Sequence, residues 1–498
     1  MSTLEVRQSN LISKRRIFQQ ARQMLQARIL GHLFRIAISL VLLPLDIWIL
    51  SVVIAVTYLS PSFLQPGTTR RRKELLRDLR FRPRTILVTG VDTPHGLRVA
   101  RCWYDQGHRV VGADVTDTGF ASGESISRAL MEYYRIPKAQ YVSRLLDIVL
   151  REKVDIWIPC SPDTSVVEDA MAKQAIESKT SCKCIGLDTE LAIKWNRAES
   201  FTQYLSEHGL PVVENHQVQS RDSIHKILHR SPTKVYHIRK TAPVVNLEKA
   251  IVLPKRTLSS TYSEVSEIQV SKSNPWLMQR YPRLGEFVAE LLITGGHVTA
   301  IMTHPASHES AWGCSPLDEG LAAAIHQLMD RLASKGGHRI TGHFVVRLMV
   351  DEELDSNSVR YEVHISSCTQ GAAATSRLLR VTPPQSLVDG YLAALSEDGR
   401  PNISVNVFSR PQSSIRRYPP RVRSLYQTIK SYDVRRVLPA LYPAAQMIDW
   451  TLEEAGKLLM FWNNWRFSMT DPLPWWWHTH ISWPLRELDL VFHSIKKA

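Results

Sequence analysis

Glycine is scarce in this chain, 22 of 498 residues, and none falls between Gly209 and Gly285. That stretch therefore has no glycine-rich loop to fold over a phosphate, and the chain as a whole is not collagen-like. Cysteine is equally thin: Cys102, Cys160, Cys182, Cys184, Cys314 and Cys368 are scattered along the sequence. Cys182 and Cys184 are separated by one residue, and no paired metal-ligand spacing occurs. A disulfide scaffold and a zinc module are excluded, leaving reduced thiols in a cytosol-facing body. Acid is missing from one region above all. Ile36–Leu59 carries Asp46 as its only charge.

What is present in excess is positive charge, +15 at neutral pH. Fifteen basic and four acidic side chains lie in residues 1–84, so +11 of the excess sits there and +4 in the remaining 414 residues. The body has no basic groove interleaved with aromatics, and no nucleic-acid partner is expected. The basic clusters bracket the apolar run instead, with seven Lys/Arg before it and eight after. Its length suffices for a membrane helix. Both flanks are basic, so the positive-inside rule gives no orientation. Pro44 weakens a continuous helix, and a mid-run carboxylate is costly in a bilayer. A bent insertion that enters and leaves on the cytosolic face is expected, with a single tilted span as the competitor. The protein is read as membrane-attached, its catalytic body in the cytoplasm.

From Thr85 strands and helices alternate. TILVT (Thr85–Thr89) reads as a strand, Gly96–Gln106 as a helix and Arg109–Ala113 as a second strand ending at Asp114. Tyr141–Glu152 reads as a helix, Asp155–Pro159 as a strand, Val166–Ile176 as a helix and Cys184–Leu187 as a strand. Leu191–His208 reads as one longer helix. This is the doubly wound α/β pattern, with its ligand crevice at the strand ends. An NAD(P) oxidoreductase is one reading. Against it, Gly90 and Gly96 are separated by VDTPH, without the glycine that lets backbone approach a pyrophosphate. Tyr134 and Lys138 mimic a YxxxK pair, but Pro137 breaks the helix such a pair requires.

The run ILVTG…ARCWYDQGHRVVGAD, then YYRIPKAQYV, then LLDIVLREKVDIWIPCSPDTSVVEDAMAKQA resembles the Rossmann-like leading domain of ATP-grasp ligases. More narrowly, it resembles the ligases of mycosporine biosynthesis. IKWNRAESFTQYLSEHGLPVVENHQV, PWLMQRYPRLGEF, Thr341-Gly342-His343, RYEVHISSCTQGAAAT and TDPLPWWWHTHISWPL follow in the family's order, so the resemblance covers nearly the whole chain. It implies an α/β fold: a Rossmann-like pre-ATP-grasp domain (85–190) and an ATP-grasp α+β module (191–395). Around these lie a basic arm (1–35), a membrane segment (36–64), a basic linker (65–84) and a Trp-rich extension (396–498).

The resemblance implies ATP and Mg2+ as cofactors. It implies as substrates an amino acid or other amine and a small carboxylic acid or cyclic enolone, condensed through a phosphorylated intermediate in specialised metabolism. Arg197, Arg239 and Lys240 stand at or beside the phosphate-binding lysine positions, and Gln279, Gly285 and Glu286 along the adenine side. The metal strands depart from the pattern. Arg347 replaces the acid of the penultimate strand, and His364-Ile365-Ser366 replaces Glu-x-Asn. Glu362 and His364, two apart on a strand, share a face and with Ser366 make a reduced metal site. Arg280 stands where an acid is usual, and Thr241–Pro254 is the loop over the phosphates. A catalytically degenerate nucleotide-binding or scaffold protein is the alternative. The His478-x-His480 pair has no third ligand nearby, and a tucked or interfacial aromatic strip is expected around it.

Overall fold

The computed structural model describes residues 31–56, 67–116, 122–232, 234–240, 251–271, 276–282, 284–306, 318–355, 358–395, 405–408 and 464–496. Two compact units arise, one from residues 1–141 with 416–498 and one from 142–415.

The first unit opens with helix α1 (Gly31–Val56) and helix α2 (Gly67–Arg77). Helix α1 is continuous through Pro44 over its 26 residues. Proline removes one backbone donor, but Pro44 lies on the exposed side while Ser39 and Asp46 are buried on the opposite one. Packing on that inner stripe keeps the helix running past the lost bond. The α/β part follows as strand β1 (Thr85–Thr89), helix α3 (Pro94–Asp105), strand β2 (Arg109–Val115) and strand β3 (Glu132–Ile136). β1 pairs in parallel with β2, and β2 with β3. Helix α3 starts two residues earlier than expected, because Thr93 Oγ1 accepts from Gly96 N at 3.0 Å and Pro94 suits the first turn. β3 was not expected. Its side chains are mostly half-exposed, so EYYRI lacks an apolar signature. Tyr134 is thus on a strand and Lys138 in the turn after Pro137, which removes the helical YxxxK pair.

The second unit begins with helix α4 (Tyr141–Glu152), whose first residue is the boundary, then β4 (Ile156–Pro159), α5 (Val166–Glu177) and β5 (Lys183–Cys184). The strand expected to reach Leu187 ends at Cys184. Helices α6 (Thr189–Asn196) and α7 (Ala198–Glu207) replace the single long helix. Arg197 between them is extended, at φ −107° and ψ 124°, which breaks the helical path while both helices bury Trp195, Phe201 and Tyr204 in one aromatic cluster. Next come β6 (Asn215–Val218), α8 (Arg221–Arg230), β7 (Tyr236–Lys240), β8 (Ile251–Leu253), α9 (Leu258–Glu267) and β9 (Trp276–Arg280). They build a four-stranded sheet in the order β6-β9-β7-β8, with antiparallel pairing. Then follow β10 (Gly285–Thr294), β11 (His297–Pro305), α10 (Glu319–Gly336), β12 (Gly342–Asp355), β13 (Ser358–Gln370), α11 (Ser376–Val381), α12 (Pro384–Leu392) and β14 (Val405–Phe408). Their five-stranded sheet has the order β13-β12-β10-β11-β14. One face of it packs on α6, α7 and α10 through Phe344, Val346, Leu348, Val350, Val363 and Ile365, the largest apolar core of this unit.

The chain returns to the first unit as α13 (Leu473–Trp477), a π-helical turn (His478–Ser482) and α14 (Trp483–Lys496). Of the expected tucked or interfacial aromatic strip, Trp475 is buried at 1% exposure, while Trp476, Trp477 and Trp483 are half-buried. Asp471 holds it in place, accepting from Ser127 Oγ (2.6 Å), Arg128 N (2.9 Å) and Arg101 Nε (3.0 Å). Gly123 permits the close fit, since a Cβ there would lie 2.9 Å from Pro474 O and His478 N.

Candidate functional site

Strand alternation puts the chemistry of the second unit on one sheet face. With Val346, Leu348 and Val350 of β12 in the core, Arg347, Met349 and Asp351 take the opposite face. Antiparallel register sets Asp351 against Glu362, Met349 against His364, and Arg347 against Ser367. The register slips between Arg347 and Leu348, so Ser366 is the extra residue of a β-bulge. A bulge re-aims its side chain. Here Ser366 Oγ accepts from Gln279 Nε2 at 3.2 Å, across from β13 to the four-stranded sheet. Beside it Arg280 pairs with Asp351 at 2.7 Å. Two sheets thus face each other through two polar contacts.

The ligand atoms of Asp351, Glu362 and His364 lie within 4.8 Å of one another. Asp351 is buried, and Glu362 and His364 are half-buried. Burial, followed by the Arg280 charge, lowers the His364 pKa, with Lys234 pushing the same way and Glu362 and Asp351 opposing. A neutral imidazole is the form that ligates a cation. Two carboxylates and an imidazole fit a divalent ion. Magnesium prefers oxygen donors alone, so this set suits manganese or zinc better.

Beside the cluster's partner Arg280, Glu214 hydrogen-bonds Lys234 (2.6 Å) and His216 (2.9 Å), and Arg280 N donates to Glu214 O. Burial raises the Glu214 pKa, but the hydrogen bonds from Lys234 and His216 outweigh it and the net shift is downward. The carboxylate is therefore charged and already committed.

Of the residues singled out in the sequence, the fold gathers Gln279, Glu362, His364 and Ser366. The shared face expected for Glu362 and His364 is present, while Ser366 bonds Gln279 instead of joining the three-residue cluster. Gly285 opens β10 at φ +138°, a conformation side-chain-bearing residues rarely adopt, and Glu286 follows opposite Met349. Arg239 and Lys240 lie on β7, paired with Leu277 and Trp276, and their side chains are outside the described set. Arg197 is exposed at the α6–α7 break and forms no hydrogen bond or ion pair to the cleft among the described residues. Met278 is fully buried core, and Tyr281 packs on His237 at 4.2 Å. Of the loop Thr241–Pro254, residues 241–250 lie outside the described set.

Asp351 and its partnership with Arg280 were missed. One signal was available: Asp351 is four residues after Arg347, and even spacing along a strand keeps one face.

Neither protein-family models nor curated proteins match the sequence. Several solved structures are similar. The biotin carboxylase subunit of pyruvate carboxylase shares 12% identity at a TM-score of 0.43, over 65% of this chain and 72% of that one. N5-carboxyaminoimidazole synthetase from Staphylococcus aureus shares 12% at 0.37, over 58% and 70%. The biotin carboxylase domain of Hydrogenobacter thermophilus 2-oxoglutarate carboxylase, in complex with MgADP, ADP and bicarbonate, shares 12% at 0.38, over 60% and 70%. Likenesses this distant carry no functional argument, and the reading below rests on the cleft.

Proposed function

We propose that this chain is an ATP-dependent ligase of the ATP-grasp kind, joining an amine to a small carboxylic acid or cyclic enolone in specialised metabolism. One observation carries the reading. A four-stranded and a five-stranded sheet meet at Gln279–Ser366 and Arg280–Asp351, beside a cluster of two carboxylates and an imidazole able to take a cation. That arrangement suits a nucleotide between the sheets with its phosphates toward the cluster. In such a reaction the acid oxygen attacks the terminal phosphorus and ADP leaves. The amine then attacks the acyl carbon, inorganic phosphate departs, and the amine loses a proton. A divalent ion bound at Asp351, Glu362 and His364 would offset phosphate charge. Gln279 orients Ser366, and Arg280 holds the Asp351 carboxylate in position.

A second reading, nucleotide binding without turnover, has its own observation. Arg347 is exposed on the same face as the cluster, and Arg280 already neutralises Asp351. Thermal unfolding of the full chain tests the first reading. ATP with manganese or magnesium should raise the midpoint, and NADPH should not. Stabilisation by NADPH alone would return the oxidoreductase reading. Stabilisation by ATP without ligase turnover favours the second reading. In that case Arg347→Asp with His364→Glu should tighten ATP–magnesium binding.

A further inference from the structure

Helix α1 has two unlike faces. Ser39, Asp46 and Val53, seven residues apart, are buried, whereas Leu33, Leu40, Val41, Ile47, Trp48 and Val52 are exposed on the far side. The polar members of the inner stripe are matched by the terminal segment. His480 Nε2 meets Asp46 Oδ2 at 2.8 Å, and its Nδ1 lies 3.1 Å from Ser39 O. Both ring nitrogens thus find partners on α1. Ser39 Oγ donates to Thr479 O at 2.8 Å. About two helical turns further along, Glu487 takes His32 and, at 3.1 Å, Arg35. As α1 advances from His32 to Asp46 its partners retreat from Glu487 to His480, so the two segments run antiparallel.

We propose that α1 and the terminal segment Leu473–Lys496 form one helical hairpin that lies flat on an anionic bilayer, with the outer face of α1 as the lipid-contacting surface. The proposal does not depend on the ligase reading. Ser39 to Val53 spans about 21 Å of helix at ~1.5 Å per residue. A helix fixed to a folded body over that distance cannot cross a bilayer without taking the body in with it. Lying flat, it turns Val41, 77% exposed, and Trp48, 65% exposed, toward lipid. The charge that follows α1 along the chain favours anionic lipid over a second copy of the chain. On α2 and just beyond it Arg70, Lys73, Arg77, Arg80 and Arg82 are exposed with Leu76 and Leu79, five cations against the exposed acids Glu74 and Asp78. The terminal segment is thus the shield that makes Asp46 tolerable in an apolar helix. It removes the charge from lipid while leaving the outer face bare.

The test is flotation of the full chain with phosphatidylcholine vesicles, with and without phosphatidylserine, using an N-terminal epitope tag. The chain should float with the phosphatidylserine vesicles, and protease added outside should cleave the tag. Val41→Glu with Trp48→Glu, both on the exposed face, should keep the unfolding midpoint and reduce flotation about tenfold or more. His480→Leu should unfold more readily than the wild type, since it strands a buried carboxylate. Asp46→Leu with His480→Leu should recover stability and still float. A protected tag means a span and overturns the proposal. So does failure to float, including dimerisation in place of vesicle binding, or a Val41→Glu/Trp48→Glu variant that floats like the wild type.

Discussion

The docked tail of the first unit and the cleft of the second use the same side chains to different ends. At the tail, Asp471 takes three donors, Arg466 pairs with buried Glu124, and Asp46 is matched by His480. These charges answer one another within the fold, and what they provide is fixed geometry. In the cleft, Asp351, Glu362 and His364 converge with Arg280 as the close cation, on a face shared with Arg347. Matched buried charge holds a structure together, whereas acceptors gathered on an open sheet face form a site.

The sharpest way to break this contrast is Asp471→Ala. It takes the only carboxylate partner found for Arg101 among the described residues, leaving that cation on backbone carbonyls alone, and removes the acceptor of Ser127 Oγ and Arg128 N, so urea unfolding should show a loss of about 3 kcal/mol. A loss below about 1 kcal/mol would make the tail contacts ornamental and erase the distinction. Acid probes the same region. Burial, then Arg466 and Arg486, hold the His478 imidazole at about 3, against an ordinary 6.5. The unfolded chain takes up a proton that the folded one refuses, so stability is complete above pH 6.5 and falls as pH drops toward 3. His478→Gln should flatten the unfolding midpoint over that window. An unchanged pH profile would mean the ring is not held as described.

In the cleft the expected effects are on binding. Asp351→Asn should weaken manganese binding at least tenfold, about 1.4 kcal/mol, by calorimetry on the full chain. Equal affinity would show that the cluster holds no ion. Smallest of the four, Gln279→Leu removes one neutral hydrogen bond to Ser366. About 1 kcal/mol, or roughly fivefold in ATP affinity, is expected from equilibrium binding. An effect as large as that of Asp351→Asn would place Gln279 in direct contact with the ligand.

The α/β core was readable where a local pattern matched a burial pattern. TILVT is buried at all five positions, and Tyr141–Glu152 has the expected helix bounds. EYYRI escaped because β3 leaves most of its side chains partly in water, so no apolar run marked it. The Arg197 break escaped because nothing in LAIKWNRAESFTQYL forbids a helix there. Shared packing of Trp195, Phe201 and Tyr204 accompanies the two-helix path. Glu362 and His364 were legible through strand parity. Asp351 was not, because its meeting with Glu362 depends on the β12–β13 register, and the bulge at Ser366 shifts register within the same pair.

By itself, then, the sequence determined the apolar helix, the local concentration of positive charge, the alternating strands and helices, and the shared face of Glu362 and His364. Each follows from spacing along a single segment. Only the tertiary structure decided that α1 runs on through Pro44, that His480 answers Asp46 from 434 residues away, and that Asp351 joins Glu362 and His364. Those outcomes belong to pairs of distant segments. Their register and partners are set by packing between elements, a term that spacing within one element does not contain.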